Sequence, residues 1–163
     1  MTRAAFPGRF QPFHRGHYRT VRTYRQRYTE FVVAIGSPRK SRTDRNPLTA
    51  DEREEQIRAC FPSVEIVRVR DEDRGEEGYP VWAEHLVRET GADVIISGND
   101  LVQRLVREHT DADVHQQEMH YPEKFSGTEI RRRIRADETW RDLVPDCCED
   151  VVAAYEDVIR ESG

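Results

Sequence analysis

The chain has 163 residues, with 31 acidic against 26 basic side chains and a formal net charge of −5, so it lacks the basic footprint of a nucleic-acid binder. That length suits one domain, 1–163, around a single core, and no apolar run approaches the about 18 residues of a membrane span. Cys60 and the adjacent Cys147 and Cys148 form an odd set without a CxxC, which argues against a disulfide framework or a cysteine zinc site; with no apolar leader, this predicts a reducing, cytoplasmic setting.

The elements alternate along the chain. "AAFPG" (4–8) predicts a short buried strand, and residues 16–28 predict a helix rich in Arg and Tyr. "FVVAIG" (31–36) is an apolar, β-branched run that suits a buried parallel strand. A polar loop, 37–47, follows. Thr49 and Glu52 have capping-box spacing, so "TADEREEQIRACF" predicts a helix. "VEIVRV" (64–69) predicts a third strand, and 71–78 a charged turn. A helix over 81–90 should end at Gly91 as its C-cap. "ADVIISG" (92–98) predicts strand four, and 99–109 a helix capped by Asn99. A weak fifth strand covers 113–119, and helices are expected over 127–136 and from about 146 to 161. Strands alternating with helices imply right-handed βαβ units and a parallel sheet. Ligands bind such sheets beyond the strand carboxyl ends, where "GRFQPFHRGH" (8–17), the Ser37 loop and "SGND" (97–100) all fall.

Neither a Walker A motif nor GxGxxG is present, so other phosphate devices must be sought. Gly8 follows the first strand, and a helix begins near Gly16, where backbone N–H groups and the helix dipole favour an anion. His14 and His17 are three apart, so both rings can face one ligand; a structural turn explains the same pair equally well. Near the C-terminus, "FSGTEIRRRIR" (125–135) pairs Ser126 with Glu129 as a second capping box. On a helical wheel Thr128, Arg131, Arg132 and Arg135 share a sector of roughly 100°, Ile130 and Ile134 face elsewhere, and Glu129 can pair with Arg133. Ser126, Gly127 and Thr128 thus open a helix suited to a polyphosphate; a solvated charged helix is the plain alternative. With only Lys40 and Lys124 as lysines, nearly all positive charge is arginine, the better bidentate phosphate ligand.

Taken together, "GRFQPFHRGH" resembles the (H/T)xGH signature of the nucleotidyltransferase superfamily, and "FSGTEIRRR" its ISSTxxR signature. "DRNPLTADER" (44–53), "ISGNDLVQRL" (96–105) and "WRDLVP" (140–145) extend the resemblance, from about residue 3 to about 160, to the archaeal form of nicotinamide-nucleotide adenylyltransferase. The resemblance implies a three-layer, Rossmann-like α/β fold with about five parallel strands and C-terminal helices. It also implies adenylyl transfer from ATP to nicotinamide mononucleotide, giving NAD and pyrophosphate with Mg²⁺. Charge and hydropathy leave no nucleic acid or membrane among the expected partners, and a homo-oligomer is expected.

Carried over by position, Gly8, Arg9, Phe10 and Gln11 line the floor between the two substrates, with Phe10 and Gln11 also facing the acceptor. His14 and His17 contact the ATP phosphates, Arg45 reaches the reacting phosphates and the acceptor, and Gly98 and Asn99 border the adenosine pocket. Ser126, Gly127, Thr128 and Arg131 hold the triphosphate, and Trp82 stacks on the nicotinamide ring. His14, His17, Arg45 and Arg131 are the expected catalytic set, with no protein metal cage. One departure is that "EEGYPVW" (76–82) lacks the asparagine usual before that tryptophan. Another phosphate acceptor, such as phosphopantetheine or FMN, and a non-catalytic nucleotide-binding role are the alternatives.

Overall fold

The computed structural model describes residues 2–72 and 74–163. The elements run β1 (Arg3–Gly8), α1 (Arg15–Tyr24), β2 (Glu30–Gly36), α2 (Ala50–Cys60), β3 (Glu65–Val69), α3 (Tyr79–Thr90), β4 (Val94–Ser97), α4 (Asp100–His109), β5 (Asp113–Gln116), α5 (Gly127–Arg135), α6 (Glu149–Ala154) and α7 (Glu156–Glu161). All five expected strands are present, in one sheet of order β3-β2-β1-β4-β5. Every pairing is parallel, with Phe6 opposite Val33 and Ala5 opposite Ile95. The order reverses at β1, which leaves the switch point of a doubly wound sheet at the carboxyl ends of β1 and β4. Gly8 ends β1 there, and Gly98 and Asn99 follow β4.

Contacts divide the chain into two compact units. The first comprises the segments up to Gly8, Val21–Pro38 and Val64–Glu118, and holds the whole sheet with α3 and α4. Its core joins Ala5, Val32, Ala34 and Ile95 of the strands to Leu86 and Val106 of the helices, with Trp82 packed against them. Buried on both faces, these strands read as apolar runs rather than alternating ones. Gly91 takes φ 67°, a left-handed conformation that glycine adopts without strain, and its N–H closes α3 on Val87.

The second unit comprises Arg9–Thr20, Arg39–Ser63 and Met119–Gly163. Phe10, Phe13, Leu48, Ile57, Ile130, Ile134 and Leu143 are buried in it. The Thr49–Glu52 capping box forms reciprocally at the start of α2. At α5 only the Ser126 half is made, its hydroxyl accepting from Glu129 N–H; the Glu129 carboxylate turns to Arg132 and Arg133 instead. The expected last helix is two, α6 and α7, joined at Tyr155 with φ −105° and ψ 11°. Helix α1 also stops at Tyr24, short of the expected 28.

The cysteine reading is corrected: Cys60 and Cys147 form a disulfide, with Cα atoms 5.1 Å apart. A separation of 87 residues gave no hint of it, because only folding brings the end of α2 beside the segment before α6. The cysteines therefore no longer argue for a reducing compartment. Cys148 is the free, buried thiol, pushed up to about 12 by burial. Among the described residues no helix is long and apolar enough to cross a membrane.

Candidate active site

In the second unit the backbone from Arg9 to His17 is held in an unusual path. Phe10 sits at φ 56°, where side-chain-bearing residues are uncommon, and Gln11–Pro12 is cis. The Gln11 amide donates to Leu48 O at 3.0 Å and accepts from Leu48 N–H at 2.9 Å. Both ends of that side chain are thus engaged by the neighbouring loop. What Gln11 turns toward the arginine helix is its main-chain carbonyl.

His14 and His17 stack face to face, with ring centroids 3.6 Å apart. His14 Nδ1 accepts from Gly16 N–H at 3.0 Å, and His17 Nδ1 accepts from His14 N–H at 3.2 Å. An Nδ1 that accepts fixes each ring as the Nε2–H tautomer. Burial lowers His14 to about 3 and holds His17 well below the usual histidine range, with His14 as a second cause. Both rings are therefore neutral hydrogen-bond donors through Nε2. His17 also packs edge-on to Phe10 at 4.6 Å and parallel to Phe13 at 5.6 Å. Gly16 is required: a Cβ there would lie 2.8 Å from the His14 ring.

The arginine face of α5 lines a cleft of about 460 Å³, together with Asp44, Arg45 and Ala136. Thr128, Arg131, Arg132 and Arg135 all border it, the four residues of the expected sector. Their states differ. Arg132 is pinned by Glu129 at 2.6 Å and Glu138 at 3.0 Å, which raises its already high pKa. Arg135 holds the Asp44 carboxylate at 2.5 Å and the Asp44 carbonyl at 2.8 Å. Arg131 donates to Gln11 O at 2.8 Å, and its guanidinium is destabilised first by burial and then by Arg135, Arg45 and Arg9, with Asp44 opposing. The cleft is lined by four arginines and a single carboxylate, Asp44, which Arg135 already holds, so even with Arg132 paired to Glu129 and Glu138 the lining is short of negative charge. Bidentate guanidinium groups are matched to phosphate and carboxylate oxygens.

The structure thus brings Arg9, Phe10, Gln11, His14, His17, Arg45, Ser126, Gly127, Thr128 and Arg131 into one unit. In the other unit, the Asn99 side chain caps α4 by accepting from Val102 N–H at 3.0 Å, and Trp82 is half-buried on the first turn of α3 against the sheet core. The sequence reading singled out none of three residues that the structure draws attention to, Asp44, Arg53 and Gln56. Asp44 precedes Arg45 and fixes its loop to Arg135, a contact between positions 91 apart that no spacing rule signals. Arg53 and Gln56 are wholly buried polar residues on α2, where periodicity offers no reason to single them out.

Residues 5–133 match the cytidylyltransferase-like family. Over 98% of this chain and 92% of the relative, the sequence is 37% identical to the nicotinamide-nucleotide adenylyltransferase of Methanolobus tindarius. It is 38% identical to that of Halobacterium salinarum, over 98% and 90%. The chain belongs to the archaeal nicotinamide-nucleotide adenylyltransferase family. The fold also matches a solved bifunctional NMN adenylyltransferase/ADP ribose pyrophosphatase from Francisella tularensis, complexed with AMP and a manganese ion. That match has TM-score 0.74 and 17% identity, and covers 99% of this chain but 51% of the other, about half its length. TmcAL from Thermotoga maritima, bound with alpha-thio ATP, matches with TM-score 0.68 at 10% identity over 96% of this chain and 56% of that protein. Within the family frame, the stacked histidines are the (H/T)xGH pair, and Ser126, Thr128 and Arg131 occupy the later signature.

Proposed function

We propose that this chain, as one nucleotidyltransferase domain over 1–163, transfers the adenylyl group of ATP to nicotinamide mononucleotide, releasing pyrophosphate and forming NAD. The observation that carries this reading is that Arg131, from a crowded guanidinium cluster, donates to Gln11 O of the segment that holds the stacked histidines, in a chain 37% identical, over nearly its whole length, to such an enzyme.

An acceptor phosphate oxygen attacks the α-phosphorus of ATP in line, and the bond to the pyrophosphate oxygen breaks. No enzyme nucleophile is needed, so positioning and charge stabilisation carry the rate. Arg131 is held by Gln11 O at 2.8 Å and needs no rearrangement to meet negative charge. Ser126, Gly127 and Thr128 open α5, whose first-turn N–H groups and dipole suit a phosphate. His14 and His17 donate from Nε2 to phosphate oxygens without bringing a proton that could be lost. Arg9 and Arg45 offset the repulsion between two anionic substrates.

Among the described residues no group of three His, Cys, Asp or Glu gathers as metal ligands. We propose that the divalent ion enters as part of the substrate, as MgATP, held by phosphate oxygens and water, because Mg²⁺ keeps most of its waters and binds readily through substrate phosphates. Gly8, Gly98 and Asn99 are proposed for the adenosine side, and Phe10 and Trp82 for the acceptor. A cytoplasmic homo-oligomer completes the proposal.

The test is pyrophosphate release from ATP with a panel of acceptors. Nicotinamide mononucleotide should turn over, with weak preference over nicotinate mononucleotide because the asparagine before Trp82 is missing. Turnover of phosphopantetheine or FMN alone would replace the acceptor, and ATP binding without pyrophosphate release would make the protein a nucleotide binder.

A further inference from the structure

Helix α2 contributes two residues that the chemistry above does not use. Arg53 has no exposed surface; its Nε donates to Thr49 O at 3.1 Å and its Nη1 to Arg9 O at 3.0 Å. Gln56, also without exposed surface, accepts from Phe13 N–H at 3.0 Å through Oε1, while its Nε2 has no hydrogen-bond partner among the described residues. The two are three apart on one helix face. A buried guanidinium and a half-satisfied amide are poor choices for stability alone, since apolar residues of similar volume avoid the desolvation cost.

Their targets bracket the segment that carries the site. Between Arg9 O and Phe13 N–H lie Phe10, at φ 56°, and Gln11, whose carbonyl holds Arg131 at 2.8 Å. The Phe10 and Phe13 rings flank His17. A backbone held in a sparsely populated conformation persists only when its surroundings over-determine it. We infer that Arg53 and Gln56 are positioning residues: they fix the Arg9–Phe13 backbone and through it orient Arg131 and His17. This rests on the adenylyl-transfer reading for its kinetic consequence, but not for its structural one.

The experiment uses the full chain with Arg53→Lys, Gln56→Leu and Gln56→Glu. Lysine keeps the charge but cannot fork to both Thr49 O and Arg9 O. Leucine removes the acceptor for Phe13 N–H, and glutamate keeps one. Misplacement of catalytic groups by about 1 Å costs up to roughly 10²-fold. Arg53→Lys and Gln56→Leu should therefore lose about 10- to 100-fold in kcat, more than any rise in KM for the acceptor through Phe10. Gln56→Glu should recover most of the loss. In parallel, NMR titration of the histidine rings should move His14 and His17 toward ordinary histidine behaviour in the two damaging variants, which a loss of stability alone would not do in the folded protein. Folded variants with wild-type kcat and unchanged histidine titration overturn the inference, as does a loss of activity that only follows the unfolded fraction. A wild-type protein inert with every acceptor overturns the proposed function instead, and the histidine titrations still decide the positioning role.

Discussion

Arg131 Nη1 donates to the carbonyl oxygen of Gln11 at 2.8 Å, joining the histidine segment to the arginine helix across 120 positions of sequence. The approach is possible because residue 127 has no side chain: a Cβ there would stand 2.9 Å from Gln11 O and 2.8 Å from Arg131 Nη1. Backbone cannot move aside as a flexible side-chain end can. Gly127→Ala should therefore separate the two signatures and cut turnover by on the order of 10- to 100-fold, while α5 itself gains helix propensity. Wild-type turnover in a steady-state pyrophosphate assay would contradict this account.

Arg131 and Arg133, two apart, point to different faces of α5. Arg131 borders the cleft; Arg133 meets Glu129 at 3.3 Å and donates to Thr139 O at 3.0 Å. Losing one preorganised charge-stabilising donor costs about 10²–10³ in kcat, so Arg131→Ala should fall in that range. Arg133→Ala should keep turnover near wild type and lower the melting temperature slightly, since partly exposed ion pairs contribute about 0.3–1 kcal/mol. Equal kinetic effects from the two would remove the distinction between faces.

The stacked histidines predict a direction for pH dependence. Burial lowers His14 to about 3 and His17 well below its usual range, so the folded protein binds fewer protons than the unfolded chain at mildly acid pH. Their neutral burial is thus compatible with full stability above the unfolded value of about 6.5, and stability falls as pH drops below it, by up to about 1.4 kcal/mol per pH unit per histidine. Denaturant unfolding between pH 7.5 and 4.5 should show this loss, and kcat should stay flat from about pH 6.5 to 8 because neither ring changes charge there. A sigmoidal rise of kcat near pH 6.5 would show that an ordinary, titrating histidine is in play.

The Cys60–Cys147 disulfide ties together two segments of the second unit that lie 87 residues apart in sequence. Native disulfides typically stabilise by about 2–4 kcal/mol. Reduction by dithiothreitol, or the pair Cys60→Ala with Cys147→Ala, should lower the denaturation midpoint accordingly and leave Cys148, which is buried, out of reach of thiol reagents. A denaturation midpoint indifferent to reductant would show that the bond contributes nothing to stability.

Much of this protein was legible in order along the chain. Apolar β-branched runs placed β2 and β3, Thr49 with Glu52 placed the start of α2, Gly91 ended α3, and Asn99 capped α4, because each of these is a local choice among few backbone states. The spacing of α5 correctly set Thr128, Arg131 and Arg135 on one cleft, since helical periodicity fixes faces without knowledge of neighbours. What neighbours do with those residues was decided only in three dimensions. Arg132 shares the sector of Arg131 yet is neutralised by Glu129 and Glu138, and the Gln11 amide turns to Leu48 rather than outward. Cys60 finds Cys147, the histidines stack and stay neutral, and Arg53 reaches the Arg9 carbonyl from the core. Charge state, hydrogen-bond partner and covalent pairing depend on which groups meet across long separations, and a sequence pattern records the residue types while the tertiary structure sets those distances.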